Sequence, residues 1–446
     1  MCEMKDSGID GIGTIPYHWG TNKLKYISQF TKGLSITKAD LLPTGQAVVS
    51  YGQVHSKENS GTDLTPNLVR HVAPVYWDLQ KSAIAPYGSF IFADTSEDYD
   101  GIGNCVYVDD YHPVMGGYHT IIVRDINIHN PRYLAYLFLT DGWRKQLREN
   151  SFGIKVFSAT QKNIKDTKII IPSAREQDAI VKYLDRKCNK IHKAVQDIQL
   201  QISTLEEYKK SVITKAVTKG LNPDIPMKDS GIKWLGKIPA NWKFMPIKYL
   251  CKIPISDGTH QTPTYTDATE GTPFLSSKDV TLGIINWRNI KYITQDLHHQ
   301  LQREISPKMD DILLAKNGTT GVAAMVDRDV SFDIYVTLAD IRVRQNLVLP
   351  QYMLYCLNSL LCKNQFNQRL IGIGVPNLHL NIIKNTKVTV PIIEEQKKIV
   401  AELDRQCRKI DATVSAKRTQ LATLESYKKS VIYEYVTGKK EVPFDE

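Results

Sequence analysis

No run of eighteen apolar residues occurs in the 446-residue chain, so no segment reads as a membrane-spanning helix. The most apolar stretch, Leu347 to Cys362, is interrupted by Gln351 and Asn358 and reads as a core helix of a soluble domain. Met1 to Gly13 lacks a basic segment followed by an apolar one, the pattern of a secretion signal. Cysteine is sparse: Cys2, Cys105, Cys188, Cys251, Cys356, Cys362 and Cys407 are odd in number and never at C-x-x-C spacing. A disulfide framework and a structural zinc site are therefore not expected, and a reducing cytoplasm is the natural setting.

Motifs of catalysis are missing too. Methyl transfer to a base amine would need an Asn/Asp-Pro-Pro-aromatic strand end, and Asn222-Pro223-Asp224 lacks the second proline and the aromatic residue. ATP use would need a G-x-x-x-x-G-K-[ST] loop, which is absent. A metal-dependent nuclease of the Pro-Asp…Asp/Glu-x-Lys type is not supported, because Pro223-Asp224 has no suitable pair after it. Gly101-x-Gly103 and Gly372-x-Gly374 lack the third glycine of a dinucleotide fingerprint. His298 and His299 are adjacent, which suits a surface loop better than a metal site.

What is present is enough apolar material for proper cores: 42% hydrophobic residues, with a charged fraction of 23% that argues against disorder. The length suits two domains plus connecting elements. A net charge of +10 favours a polyanionic partner, although charge alone discriminates weakly.

The chain repeats itself. Met4-Lys5-Asp6-Ser7-Gly8-Ile9 recurs as Met227-Lys228-Asp229-Ser230-Gly231-Ile232, and in the same register Ile15-Pro16 matches Ile238-Pro239, Trp19 matches Trp242 and Lys25-Tyr26 matches Lys248-Tyr249. Similarity fades, then returns with Pro131-Arg132-Tyr133-Leu134-Ala135-Tyr136 against Pro350-Gln351-Tyr352-Met353-Leu354-Tyr355. It continues through Pro172 and Pro391, Glu176-Gln177 and Glu395-Gln396, Leu184-Asp185 and Leu403-Asp404, to Tyr208–Ile213 and Tyr427–Ile432. The edges of the halves agree while residues 30–125 and 253–345 do not. That contrast suggests one scaffold presenting two different recognition surfaces.

After Pro172 and Pro391 the apolar spacing turns helical, with Glu-Gln pairs in the first turns where carboxylates suit the helix dipole. The first seam is Val181, Leu184, Cys188, Ile191, Val195, Ile198, Ile202, Leu205, Lys209, Val212 and Ala216. The second is Val400, Leu403, Cys407, Ile410, Val414, Lys417, Leu421, Leu424, Lys428, Val431 and Tyr435. This heptad pattern predicts a coiled coil of two helices, each about 68 Å long. A pseudo-twofold relation between the halves would make the pair antiparallel, with the variable domains at its two ends. Lys209 and Lys428 share a seam position and read as snorkelling cations rather than register-setting ones. Cys188 and Cys407 read as small buried residues.

In the variable blocks, strand-like runs are Gln46 to Tyr51, Ser89 to Ala93, Asn104 to Val108 and Thr120 to Val123. The second half has Pro273 to Leu275, Asp311 to Ala315, Val322 to Val326 and Ile341 to Val343, and each domain then has a helix starting at Pro131 or Pro350. Polar, glycine-containing loops stand out: Ser50 to Lys57, Ser256 to Pro263, Ser276 to Asp279 and Lys316 to Gly321. Turn chemistry accounts for each residue singly; as groups they suit contact with base edges and phosphates.

The Ile-Pro…Trp start, the Pro-x-Tyr-(Leu/Met)-x-Tyr helix and the Ile-Pro/Val-Pro…Glu-Gln…Leu-Asp helix start resemble the specificity subunits of Type I restriction-modification enzymes. So do Asp257-Gly258-Thr259-His260 and the Leu-Glu-x-Tyr-Lys-Lys-Ser-Val-Ile helix end. The resemblance spans the whole chain. It implies an α+β protein with two mixed α/β target recognition domains in tandem, separated by an antiparallel coiled coil of two long helices, as a pseudo-twofold internal repeat. The expected segments are recognition domain 1 at 1–172, a spacer helix at 173–219, recognition domain 2 with its connector at 220–391, a second spacer helix at 392–438 and a tail at 439–446.

It further implies a non-catalytic subunit in a bacterial or archaeal cytoplasm, each domain reading one half of a bipartite asymmetric site in double-stranded DNA. The helices would set the unread spacer and dock two modification (methyltransferase) subunits, which restriction (translocase/nuclease) subunits join. No cofactor is expected on this chain; S-adenosylmethionine, ATP and magnesium would belong to the partners, and no membrane is involved. Carried over, the DNA contacts fall on Tyr51, Gln53, His55, Lys57, Asp257, Thr259, His260, Thr262, Ser276, Ser277, Lys278, Lys316 and Asn317. The alternative is a non-catalytic interaction scaffold with two heads on a coiled-coil rod.

Overall fold

Helical spacing after each proline corresponds to two long helices, Ala174–Lys219 and Ile393–Val436. The computed structural model describes residues 3–443 apart from 111, 152, 154–155, 282, 304 and 370–376; Cys2 and the Gly372-x-Gly374 pair lie outside the described residues. The chain divides into two compact units, Met1–Ile198 with Thr419–Glu446, and Gln199–Arg418. Each unit thus takes part of both long helices instead of ending at residue 172 or 391. The physical reason is that a helix with a single apolar stripe must bury it against a neighbour. Among the described residues no helix is long and apolar enough to cross a membrane.

In the first unit, two four-stranded sheets pack face to face. One runs in the order Cys105–Tyr107, Phe90–Ala93, Thr120–Arg124, Gln29–Lys32, with all neighbours antiparallel. The other runs Arg70–Val72, Gln46–Val49, Val114–Gly116, Ile84–Ala85, its middle pair parallel. Alternation along Phe90–Ala93 explains the layering. Ile91 and Ala93 face the second sheet with Val48, Val106, Met115 and Ile122. Phe90 and Phe92 face the other way, onto Tyr133, Phe138, Trp143 and Leu184. A strand buried on both sides reads as an unbroken apolar run, which is how it appears in the sequence. The covering helices are Pro131–Phe138, begun by Asn130, whose side chain accepts the Arg132 N–H at 3.2 Å, and Asp141–Arg148.

The second unit repeats the first of these sheets strand for strand and three strands of the other, whose fourth strand lies on the opposite edge. Its sheets run Ala323–Met325, Ile312–Ala315, Leu338–Ile341, Ser256–Asp257 and Tyr265–Thr266, Lys291–Ile293, Thr272–Leu275, Asp333–Ile334. Thr272–Leu275 and Asp333–Ile334 are again parallel. Leu275, Leu313, Phe332 and Leu338 are buried together in one core cluster, and Ile312, Leu314 and Ile341 in a second with Tyr352, Met353 and Leu403.

Several local expectations are corrected. The run Gln46 to Tyr51 is a strand only to Val49, because Ser50 opens a turn of helix, Tyr51–Val54, whose Gln53 side chain accepts the Ser50 N–H. The strand expected at Ile341 to Val343 lies at Leu338–Ile341. Leu347 to Cys362 is not one helix. Pro350–Asn358 ends at Ser359, whose extended backbone and hydroxyl bond to the Cys356 carbonyl start a second helix, Leu360–Asn367.

The identities shared by the halves are fastenings. Trp19 Nε1 donates to Glu176 at 2.9 Å and Trp242 Nε1 to Glu395 at 3.0 Å. Tyr136 donates to Asp185 and Tyr355 to Asp404. Gln177 and Gln396 each donate to the proline carbonyl before their helix, Pro172 and Pro391, at 2.9 Å. Burial works against the Glu176 charge, but bonds from Ser173, Trp19 and His18 prevail and hold the carboxyl at about 2. Each unit is thereby clamped to the start of its own helix.

Along the seams, Val181, Leu184, Cys188, Ile191, Ile198, Ala216, Leu403, Cys407, Ile410, Val414, Val431 and Tyr435 are buried. Val195, Ile202, Leu205, Val212, Val400, Lys417, Leu421, Leu424 and Lys428 are half-buried. In the second unit Glu206 pairs with Arg418 and Lys209 with Asp411, so the helix segments there run antiparallel. Lys209 therefore ends on a carboxylate at 2.7 Å rather than in solvent. In the first unit the Tyr183 and Tyr435 rings stack 4.4 Å apart.

Candidate nucleic-acid interface

The polar loops of each unit meet at one end of its sheets. In the second unit the loops after Ser256–Asp257, Thr272–Leu275 and Ile312–Ala315, and the one before Leu338–Ile341, converge there. Lys316 is buried and its ammonium is paired with Asp257, whose other oxygen has the exposed His260 imidazole at 3.4 Å. Thr259 is held by parallel bonding with the 334–336 segment, and its hydroxyl accepts the Gln261 N–H. Ser276 is bound to Asp279, and the Ser277 N–H donates to the Thr337 hydroxyl at 3.0 Å. The Thr319 hydroxyl closes the group on the Val280 carbonyl at 3.1 Å. Thr262, His260 and Lys278 are exposed and Asn317 is half-buried, so these are the side chains presented outward.

In the first unit the equivalent turn carries Tyr51, Gln53, His55 and Lys57. Gln53 is engaged with Ser50. His55 Nε2 is 2.9 Å from the Thr95 carbonyl and its Nδ1 is 3.3 Å from the Asn104 amide nitrogen, so both ring nitrogens are occupied. The Tyr51 ring stacks on His55 at 4.6 Å and approaches His119 at 6.3 Å. Burial, with Glu97 nearby, raises its hydroxyl above the ordinary phenol range. Lys57 is exposed. Among the thirteen nominated positions, Gln53, His55, Ser276, Ser277 and Lys316 build and hold the loops, while Tyr51, Lys57, Thr262, His260 and Lys278 offer surface.

Outside the loops singled out in the sequence, Asp94, His119, Lys32 and Thr337 also lie at this end. The available signal was position: Asp94 follows the run Ser89 to Ala93 just as Lys316 follows Asp311 to Ala315. At the opposite end of the second unit's sheets lies an open cavity of about 600 Å³ lined by Lys252, Lys308, Asp311, Arg342 and Arg344, away from these loops. Arg342 there holds Asp311 through two bonds, at 2.8 and 2.6 Å. Among the described residues no three His, Cys, Asp or Glu side chains stand together as metal ligands.

Comparison with known proteins agrees with this doubled arrangement. The model of the Type I restriction modification DNA specificity domain matches residues 16–201 and again 239–423. The Type I restriction enzyme MjaVIII specificity subunit of Methanocaldococcus jannaschii is 26% identical over 302 residues, 66% of this chain and 67% of that protein. The EcoBI specificity subunit of Escherichia coli is 21% identical over 317 residues, 70% of this chain and 66% of that protein. A solved chain from work on complex assembly and conformational transition of the type I R-M system shares the fold, with TM-score 0.69 at 18% identity, covering 96% of this chain and 99% of that one. With the domain matched twice over most of its length, this chain belongs to the Type I restriction modification DNA specificity family.

Proposed function

We propose that this chain, a DNA sequence-specificity subunit of a Type I restriction-modification complex, reads a bipartite asymmetric site, one half with each unit. The observation that carries the reading is the pair of sheet plans that share their strand order apart from one edge strand and differ in loop chemistry. One scaffold used twice with unlike contact faces suits two unlike half-sites. The subunit itself is non-catalytic. Methyl transfer belongs to two modification subunits carrying S-adenosylmethionine, and cleavage to restriction subunits using ATP and magnesium, in the cytoplasm of a bacterial or archaeal cell.

The long helices act as an antiparallel coiled-coil spacer whose residue count sets the unread base pairs. Docking of two like subunits is supported by surface residues kept in both copies without a core role. Tyr26 and Tyr249 are 70% and 59% exposed, each beside its own lysine, Lys25 and Lys248. Tyr208 and Tyr427 are likewise exposed at matching helix positions.

A mobility-shift assay with and without the modification subunit tests the reading: salt-sensitive, site-specific binding is expected with it. Affinity for protein partners with no salt-dependent DNA binding would favour the interaction scaffold instead. Inserting one helical turn, about four residues and ~6 Å, in either long helix should lengthen the tolerated spacer. An unchanged spacer in a methylome map would remove the ruler from the proposal.

A further inference from the structure

Sheet register permits a residue-by-residue comparison of the two reading ends. Ala93 pairs with Thr120 and Ala315 with Leu338, so Asp94 and Lys316, the next residues, occupy the same place. Their backbones agree: the Asp94 N–H donates to the His119 carbonyl and the Lys316 N–H to the Thr337 carbonyl. On the neighbouring strand, Lys32 pairs with Ile121 and Asp257 with Ala339, which makes Lys32 and Asp257 equivalent as well. Both positions have exchanged sign between the units.

The consequence differs on the two sides. In the second unit the opposite charges lie against each other, Lys316 8% and Asp257 14% exposed, and are spent on one another. In the first unit no such pair forms among the described residues. Lys32 is exposed, and the Asp94 side chain remains 35% exposed. The His119 Nδ1 stands 3.3 Å from Asp94 Oδ1 without forming a hydrogen bond, and that oxygen is buried with no other donor. His119 sits in the left-handed backbone region, φ 53°, at a place where its ring borders both Asp94 and Tyr51.

We infer that Asp94 is a specificity-determining acceptor of the first unit, selecting a base that presents an exocyclic amine in the groove. A carboxylate has no donor, so it accepts from adenine N6 or cytosine N4 and opposes guanine O6 and thymine O4. Lys32 supplies the counter-charge that lets a carboxylate approach a phosphate-bearing duplex. In the second unit the same position is closed by its ion pair, and the outward groups are His260, Thr262 and Lys278. This assignment rests on the bipartite reading above.

The test uses the subunit assembled with its modification partner, wild type and Asp94→Ala, which removes the acceptor, each selected against a random duplex pool with the bound sequences read out. Wild type should show an amine-bearing base at one position of the first unit's half-site. Asp94→Ala should cut that preference by about 5- to 100-fold, leaving the other half-site and the spacer unchanged as internal controls. An unaltered motif with Asp94→Ala overturns the inference. If that variant fails to assemble, Asp94→Glu, which keeps the acceptor, decides: retention of the amine base supports it, and replacement by guanine or thymine overturns it. A wild-type complex that selects no discontinuous motif would instead refute the bipartite reading.

Discussion

Ile122 in the first unit and Asp340 in the second hold the same register position, opposite Ile91 and Leu313. Both are buried, one as a plain core residue and the other as a carboxyl whose two oxygens lack partners among the described residues. By contrast, the Trp–Glu, Tyr–Asp and Gln–Pro fastenings are the same in both units. The difference teaches that the duplicated fold tolerates change even between its sheets but not where a sheet domain grips its helix. A core position needs only volume and a satisfied or neutral group. A clamp needs a donor and an acceptor at set distances.

The largest test of this comparison exchanges residues 30–125 for the block of a relative with another specificity. Only one half of the methylated motif should change, because the clamps lie outside that block; a change in both halves would contradict separable units.

Asp340 offers a sharper one. Burial, with Asp311 adding to it and Arg342 opposing, raises its carboxyl from 3.8 to about 7. The native state therefore holds this proton more tightly than the unfolded chain, so its contribution favours folding below about pH 4. That contribution is lost as pH rises to about 7. Asp340→Asn, neutral throughout, should match wild type at pH 4 and exceed it at pH 8 by up to about 4 kcal/mol. Melting curves at the two pH values that show no divergence would sink the argument.

A smaller effect is expected at Arg132, where the second unit has Gln351. The Arg132 guanidinium joins Asp63, Asp185 and the Thr62 carbonyl, tying a variable loop to the long helix. Arg132→Gln should cost about 2 kcal/mol, less than for a fully buried pair, by leaving two carboxylates short of a partner. Gln351→Ala should cost under about 1 kcal/mol. Equal losses in denaturant titrations would mean the two positions are not as different as they look.

Much of the architecture was legible beforehand for a local reason. Helix spacing, proline starts and repeated identities are read within a few residues, and they indicated the long helices and the paired domain starts. The strand at Leu338–Ile341 was placed too late because Asp340 breaks the apolar run that marks a buried strand. Ser50 and Ser359 ended elements through side-chain bonds that no periodicity announces. In the first unit's loop, Gln53 and His55 make hydrogen bonds within the fold, to Ser50, Thr95 and Asn104, that no spacing along the chain announces.

The amino-acid sequence alone determined that one unit is used twice, where each copy meets its helix, and that the copies diverge in between. These are statements about spacing and identity along the chain. Only the tertiary structure decided that both divergent blocks share their strand order apart from one edge strand, that Asp94 stands where Lys316 does, and that one pair of opposite charges meets while the other does not. Register between distant strands joins residues far apart in sequence, and it is set by packing rather than by any local pattern.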